Sequence, residues 1–323
     1  MRALMALAAI TAIAGCVAAV PIDRPSDYTA PSKLRSCRVD LPQGWKDELS
    51  RNKSEAGPHE QVTIVGANED AGTTLVRTTR NRTTELVLRD SKKRQQVMAV
   101  QDDAQLFGVE FDGRWVTFST TPSPSDRTTT TYAWDSRNDG APVRIGDSGA
   151  VVHNGKAAWS DAKGVHLYDL VKKKDRIVGQ GKEPAFLGDT VMWLQDGKFR
   201  AEVALPEPLR NAKPDSVASD GRTVVWTQAD ALHGWREGWT EPRELAGIKN
   251  PPKAEGIVFP RVSGDFVSWQ SESSYVTDIR SRATAHTTEG AYWLEVHGGA
   301  LTQQGSRVAA TAPLSALSPL KSC

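Results

Sequence analysis

Cysteine is scarce in this chain: there are three, Cys16, Cys37 and Cys323. Three thiols cannot build a cysteine framework around zinc, which excludes that class of site. Neither sign of charge is in excess, with 40 Lys and Arg against 39 Asp and Glu. No long-range field therefore draws the chain to an anionic polymer, and a nucleic-acid role is set aside. Long apolar runs are missing too. The segment Leu4 to Ile13 has half of the roughly 20 residues needed to cross a hydrocarbon core. The six histidines (His59, His153, His166, His233, His286 and His297) show no His-Glu-x-x-His spacing. There is no Asp-x-Asp-x-Asp-Gly calcium loop, no glycine-rich phosphate loop and no Gly-x-Ser-x-Gly elbow. Nothing calls for a metal or another cofactor.

What is present begins with an address. Arg2 followed by the short apolar run fits the core of a secretion signal over residues 1–15. Ile13-Ala14-Gly15-Cys16 resembles the bacterial lipobox, whose cysteine receives diacylglycerol; Val17-Ala18-Ala19 offers the alternative of ordinary cleavage after Ala19. Cysteine arithmetic supports the lipid. An odd count in an exported chain needs an explanation, and lipidating Cys16 leaves one pair, Cys37 and Cys323, bracketing the folded region. Residues 16–36, with Pro21, Pro25, Ser26 and Pro31, read as a flexible tether. The expectation is a protein held at the outer face of the cell membrane by Cys16, or secreted if Cys16 is unmodified.

Residues 37–323 form one domain by this reading, and internal repeats decide its architecture. A turn of Gly with Asp or Asn is followed by an apolar strand ending near Trp. The units read Asp-Gly-Arg-Trp-Val-Thr-Phe at 112–118, Asn-Gly-Lys-Ala-Ala-Trp at 154–159 and Gly-Asp-Thr-Val-Met-Trp at 188–193. They continue as Asp-Gly-Arg-Thr-Val-Val-Trp at 220–226 and Gly-Asp-Phe-Val-Ser-Trp at 264–269, with degenerate copies at 72–76 and 305–310. The anchors fall at 76, 118, 159, 193, 226, 269 and 310. Their spacing suits a four-stranded propeller blade of roughly 40 residues. Asp-Gly and Asn-Gly predict type I′ hairpins, which need positive φ at both central residues. Third strands are visible at 84–90, 164–169 and 275–278, and fourth strands at 94–98, 176–178 and 243–245. No helical stripe competes. The fold class is all-β, a β-propeller of four-stranded antiparallel blades: seven by this count, with the last lacking an evident third strand, and six as the alternative.

These residues resemble the TolB-like, WD40-like bacterial propellers, whose blades read Asp-Gly, strand, Trp or Phe, then Tyr-Asp-Leu. The resemblance covers about 59–323 and implies a fold rather than an activity. The chain has no counterpart of TolB's separate amino-terminal domain, so TolB's partners do not carry over.

Candidate chemistry is thin. Gly146-Asp147-Ser148-Gly149-Ala150 is similar to the surroundings of a chymotrypsin-type nucleophile, and Thr284-Ala285-His286 to that family's histidine motif. The order is reversed and the serine lies at a blade junction, so Ser148 is not expected to be a nucleophile. His233-Gly-Trp235-Arg-Glu-Gly-Trp239 is either an aromatic platform for a sugar or core packing. Asp161 and Asp230, in loops after second strands, are the carboxylates a propeller lactonase, glycosidase or lyase would use. The basic turns at 92–94 and 172–174 read as solvated hairpins. Loops at 119–131 and 247–260 are the longest, and long loops on rigid scaffolds carry function. The expectation is a monomeric, non-enzymatic envelope binding or scaffold module whose partner is an envelope protein or a carbohydrate, with Asp161, Asp230, His233 and Trp235 as ligand-binding candidates.

Overall fold

The computed structural model describes residues 37–68, 70–126, 128–248, 256–271, 273–286, 291–305 and 307–322, with the side chains of 291 and 292 left aside. The signal, Cys16, the tether and Cys323 lie outside the described residues, as does much of the 247–260 loop. Seven sheets are arranged as a β-propeller. Blade 1 is Glu60–Ala67, Thr74–Arg80, Thr83–Arg89 and Arg94–Gln101; blade 2 is Gln105–Phe111, Trp115–Thr121, Thr130–Asp135 and Val143–Gly146. Blade 3 is Val151–His153, Lys156–Asp161, Gly164–Asp169 and Lys174–Gly179. Blade 4 has three strands among the described residues, Lys182–Leu187, Thr190–Gln195 and Lys198–Ala201, followed by the short helix Glu207–Arg210. Blade 5 is Ser216–Ser219, Thr223–Gln228, Ala231–Arg236 and Arg243–Gly247; blade 6 is Val258–Ser263, Phe266–Gln270, Ser274–Asp278 and Ala283–His286. Blade 7 is Ala291–His297, Ala300–Gly305 and Val308–Pro313.

The first strand of each blade touches the first strand of the next all the way round, so these strands line the central channel. Neighbouring strands alternate in direction. Turns joining first to second and third to fourth strands therefore share one face of the ring. Second-to-third loops and the connections between blades share the other.

The anchors are buried as the repeat demands: Phe118, Trp159, Trp193, Trp226 and Trp269 all lie in the core. Four of them meet a ring directly across the ladder. Phe118 stacks on Tyr132, Trp159 on His166, Trp226 on His233 and Trp269 on Tyr275, at centroid distances of 5.4, 4.9, 5.7 and 4.2 Å. Such cross-strand ring pairs each contribute up to about 1 kcal/mol. The next ring is admitted by a glycine on the outer strand of the preceding blade. A Cβ on Gly146 would lie 2.7 Å from Trp159, and one on Gly179 would lie 2.1 Å from Trp193.

The seventh anchor is not residue 310. By register the equivalent of Trp269 is Gln303, and Ala310 is its partner on the third strand. The third strand therefore exists, and the fourth is the one missing from the repeat. Chain closure supplies it: Lys53–Glu55 pairs antiparallel with Val308–Ala310. Turn chemistry also differs from expectation. Asn154 and Gly155 both take positive φ, as type I′ requires. At the corresponding turns Gly113, Gly188, Gly221, Gly264 and Gly298 hold the first central place with positive φ and the next residue does not, which is the II′ pattern. Asp112 and Asp220 precede two of these glycines and explain the repeated Asp. Asp112 Oδ1 accepts the N–H groups of Arg114 and Trp115, and Asp220 Oδ1 those of Arg222 and Thr223. Asp220 Oδ2 then accepts the N–H of Gly264 in the next blade, at 2.9 Å.

An amphipathic helix, Gln43–Arg51, stands where no helix was expected. Its signal is Leu41, Trp45 and Leu49, spaced four apart on one face. Cys37–Val39 adds a parallel fifth strand to blade 6, and the helix carries the chain from there to blade 7. Leu41, Trp45 and Leu49 join Leu294, Leu301, Leu317 and Leu320 in one core cluster. Trp45 packs edge-on to Phe266 and its Nε1 donates to Ser318 O at 2.9 Å. Because Trp45 is 0% exposed, Trp45→Ala should lower unfolding free energy by about 3–5 kcal/mol. Denaturant titration of the two proteins checks this, with near-native circular dichroism expected for the variant in water.

Candidate functional site

The first strands, read in register, define layers of the channel. In each blade the residue paired with the position just before the anchor falls in the same layer. These residues are Gly66, Glu110, Val151, Ala185, Ala218, Arg261 and Glu295 for blades 1 to 7. Four blades contribute small or apolar side chains, and three contribute long charged ones. The space left by the small residues is where the charged groups meet. Arg261 Nη1 donates to Glu110 Oε1 at 2.9 Å. Blades 2 and 6 are not neighbours in the ring, so this ion pair crosses the channel.

Glu295 is held from three sides. His297 Nε2 lies 3.0 Å from its Oε2, and Gln270 Nε2 donates to its Oε1 at 3.0 Å. Burial alone would raise its pKa. The hydrogen bond and charge of His297, the charge of Arg261 and the Gln270 amide outweigh burial and bring it down to about 2. Arg261 is pushed above its ordinary value, chiefly by the charge of Glu110. Arg77 stands beside them and donates to Leu106 O at 3.2 Å; burial lowers its pKa and the charge of Glu295 opposes that. The result is a formally balanced polar floor of two arginines and two carboxylates, with His297 held against one of them. Both carboxylates are engaged, and Glu295 is ionised throughout the physiological range. Glu295 is therefore not placed to deliver a proton as a general acid.

The residues singled out from sequence lie elsewhere. Asp161 closes the second strand of blade 3, where Oδ1 accepts the Lys163 N–H at 2.7 Å and meets His166 Nε2 at 3.1 Å. His166 Nδ1 contacts Asp175 Oδ2 at 2.8 Å. His166 is thus a stacked and doubly bonded wall residue. Asp230 sits in the turn after the second strand of blade 5, with blade 4 between it and Asp161, and its carbonyl accepts the Ile248 N–H. The structure does not bring these two carboxylates together. His233 lies against the Trp226 ring. Trp235 is 4% exposed and its Nε1 donates to Trp239 O; Arg243 covers the Trp239 ring at 4.0 Å. Trp235 is therefore core, and no open platform forms there. Ser148 Oγ donates to Ser160 O at 2.6 Å between blades 2 and 3, whereas His286 is on the outer strand of blade 6. The 119–131 insertion is shorter than its sequence suggests. Ser119 and Thr131 are buried within strands and bonded to each other at 2.9 Å, leaving 122–129 as the loop. Among the described residues no group of three His, Cys, Asp or Glu side chains is arranged to hold a metal ion.

Glu110, Arg261, Glu295 and His297 were missed because first strands were not read as part of the repeat, and Gln270 because it follows the anchor Trp269 at the end of its strand. Their signal was the constant distance of Glu110, Arg261 and Glu295 from the turn that follows each first strand.

No protein-family model matches the chain, and no curated protein is similar to it in sequence. Solved structures are similar to it at low sequence identity. One is PorZ, a bacterial surface component of the type-IX secretion system of Porphyromonas gingivalis, with 10% identity, a TM-score of 0.49, 82% of this chain covered and 39% of that one. A second is the extracellular domain of a putative one-component system from B. thetaiotaomicron, with 10% identity, a TM-score of 0.48 and coverage of 81% and 40%. A third is an oligogalacturonate lyase from Vibrio parahaemolyticus, with 8% identity, a TM-score of 0.49 and coverage of 82% and 94%. The chain spans about two fifths of the length of the first two.

A carboxylate whose pKa falls on folding contributes stability above its ordinary value and loses it as pH drops toward the folded value. For Glu295 the window runs from 4.5 down to about 2. Between pH 5 and pH 2 the native protein should lose about 3 kcal/mol more than Glu295→Gln. Urea unfolding of both proteins across that range measures the difference.

Proposed function

We propose that this protein is an exported scaffold of the TolB-like, WD40-like kind, tethered through lipidated Cys16. It binds an envelope partner on the face made by second-to-third loops and interblade connections, and runs no reaction of its own. The observation that carries this reading is the neutralised channel layer. Glu110 is spent on Arg261, and Glu295 is ionised and bonded to His297 and Gln270. An enzyme built on channel carboxylates needs at least one with a pKa near working pH. The lactonase, glycosidase or lyase alternative took its carboxylates from separate blades, with Asp161 and Asp230 as examples, and Asp161 is engaged with the Lys163 N–H and His166.

The tether and the face are tested together in intact cells. The mature amino terminus should begin at Cys16 carrying lipid, and Cys16→Ala should move the protein out of the membrane fraction. A mature peptide beginning at Val20 would overturn the tether. Chemical cross-linking should capture a partner with the native protein and lose it when 122–129 is deleted, with melting temperature preserved. Unchanged capture would move the site off this face.

Export also supplies an oxidising compartment, and we propose that Cys37 pairs with Cys323. The support is packing: Cys37 lies against the same cluster as Leu320, three residues from Cys323. Closing nearly the whole chain, such a bond contributes up to about 5 kcal/mol. Non-reducing peptide mapping should link the two peptides, and Cys323→Ser should lower the melting temperature; two free thiols would refute the bond.

A further inference from the structure

The first strands of blades 2, 4 and 6 make the same irregularity at the same place. The ladder slips between Phe107 and Glu110, between Lys182 and Ala185, and between Val258 and Arg261. At each slip one residue turns to positive φ: Gly108 at 58°, Glu183 at 49° and Phe259 at 52°. A bulge of this kind re-aims side chains and is over-represented beside functional sites. Glycine takes the left-handed conformation without strain, but a bulky aromatic residue does not. Phe259 gains no burial in exchange, because it is 70% exposed and belongs to no core cluster. Phe107, at the matching bulge of blade 2, is 36% exposed. A strained aromatic ring left in water points to a contact made outside the chain.

Position along the first strand places both residues. Phe107 is three residues before Glu110, and Phe259, the unpaired bulge residue, is two before Arg261, in each case toward the face of the interblade connections. Because the Glu110–Arg261 pair joins those strands across the channel, the strand ends that carry the two phenylalanines flank its mouth on that face. Beneath them lie Glu110, Arg261, Glu295, Arg77 and Gln270. This floor has no net charge to hold an ion, yet it is dense in donors and acceptors. A flat ring with an apolar C–H face and a hydroxylated edge matches aromatic flanks over such a floor.

We propose that the channel mouth between Phe107 and Phe259 binds a neutral oligosaccharide. Phe259 is the stacking platform, and the Glu110–Arg261 pair supplies hydrogen bonds to hydroxyl groups. This rests on the reading of the protein as a binding module that uses this face.

The test titrates the mature chain calorimetrically with neutral hexasaccharides of glucose, xylose, mannose and N-acetylglucosamine, with hexagalacturonate and an apolar decapeptide as comparators. At least one neutral hexasaccharide should bind and the comparators should not. Phe259→Ala should weaken that binding at least tenfold, and Phe259→Trp should retain it. Phe259→Gly should abolish binding while raising the melting temperature, an outcome that a merely structural role would reverse. The proposal is overturned if no neutral sugar binds, if hexagalacturonate or the peptide binds instead, or if Phe259→Ala binds like the native chain. Cross-linking in cells separates the two levels. A partner still captured by Phe259→Ala when no sugar binds sinks the sugar site alone, and capture unaffected by deleting 122–129 sinks the reading beneath it.

Discussion

Everything in this molecule depends on shutting the ring. Contacts within a blade join strands close in sequence, and they would form in an open arc as well as in a closed circle. The closing contact is different. Lys53–Glu55 must find Val308–Ala310 across nearly the whole chain, at the entropic cost of a very large loop. A single three-residue pairing would not hold. The structure adds the helix at Gln43–Arg51, with Trp45 fully buried between blade 6 and the carboxyl-terminal tail, and a parallel strand at Cys37–Val39. The tail answers from its own side, where the Leu320 N–H is accepted by the buried Asp278 carboxylate at 3.0 Å. Residues 37–49 and 314–320 are thus folded into one apolar cluster over the seam, and two sheet edges that would otherwise stand unpaired are covered.

Closure is also what makes the channel layer possible. Glu110, Arg261 and Glu295 come from blades 2, 6 and 7, and the seam runs through blade 7, between Lys53–Glu55 and Val308–Ala310. Opening it would separate Arg261 from Glu110 and deprive the Glu110 carboxylate of its ion-pair partner in a half-buried setting, where the penalty for an unpaired charge is steep. The ion pair therefore reports on the ring's integrity as much as it contributes to it. Between blades, the glycines at 146 and 179 are the complementary constraint. They let a neighbouring Trp ring approach the strand backbone more closely than any Cβ would permit, which fixes the spacing of blades 2, 3 and 4.

Much of the fold was legible in sequence because its repeat is local. The Asp-Gly turns at 112–113 and 220–221 cap their own hairpins, and the ring three residues past each hairpin pair, Phe118 or Trp226, is buried. Those signals, with degenerate copies at 72–76 and 305–310, favoured seven blades over six. The seventh blade was misplaced because Gln303 stands where a Trp would mark it, and Gly305-Ser-Arg-Val-Ala-Ala310 imitates the motif one strand later. The closing helix was missed because the search followed periods of about 40 residues, whereas Leu41, Trp45 and Leu49 signal over nine. The channel layer was hidden for a deeper reason. Glu110, Arg261 and Glu295 are ordinary surface letters until the register of seven sheets and the curvature of the ring bring them together.

The same argument explains why the mouth was invisible and why it is the part that carries information beyond the fold. Blade architecture is over-determined: anchors, turns and glycines all favour one backbone. At Phe259 the local preference and the observed conformation disagree, since nothing in Val258-Phe259-Pro260 favours positive φ. The matching bulge of blade 2 resolves the same demand with Gly108 and puts its ring one residue earlier, at Phe107. Had the bulge been needed only to bend the strand, glycine would have served blade 6 equally well. A phenylalanine there trades stability for an exposed ring at a fixed place over a rigid polar floor. Such an exchange makes physical sense where the ring meets something other than water.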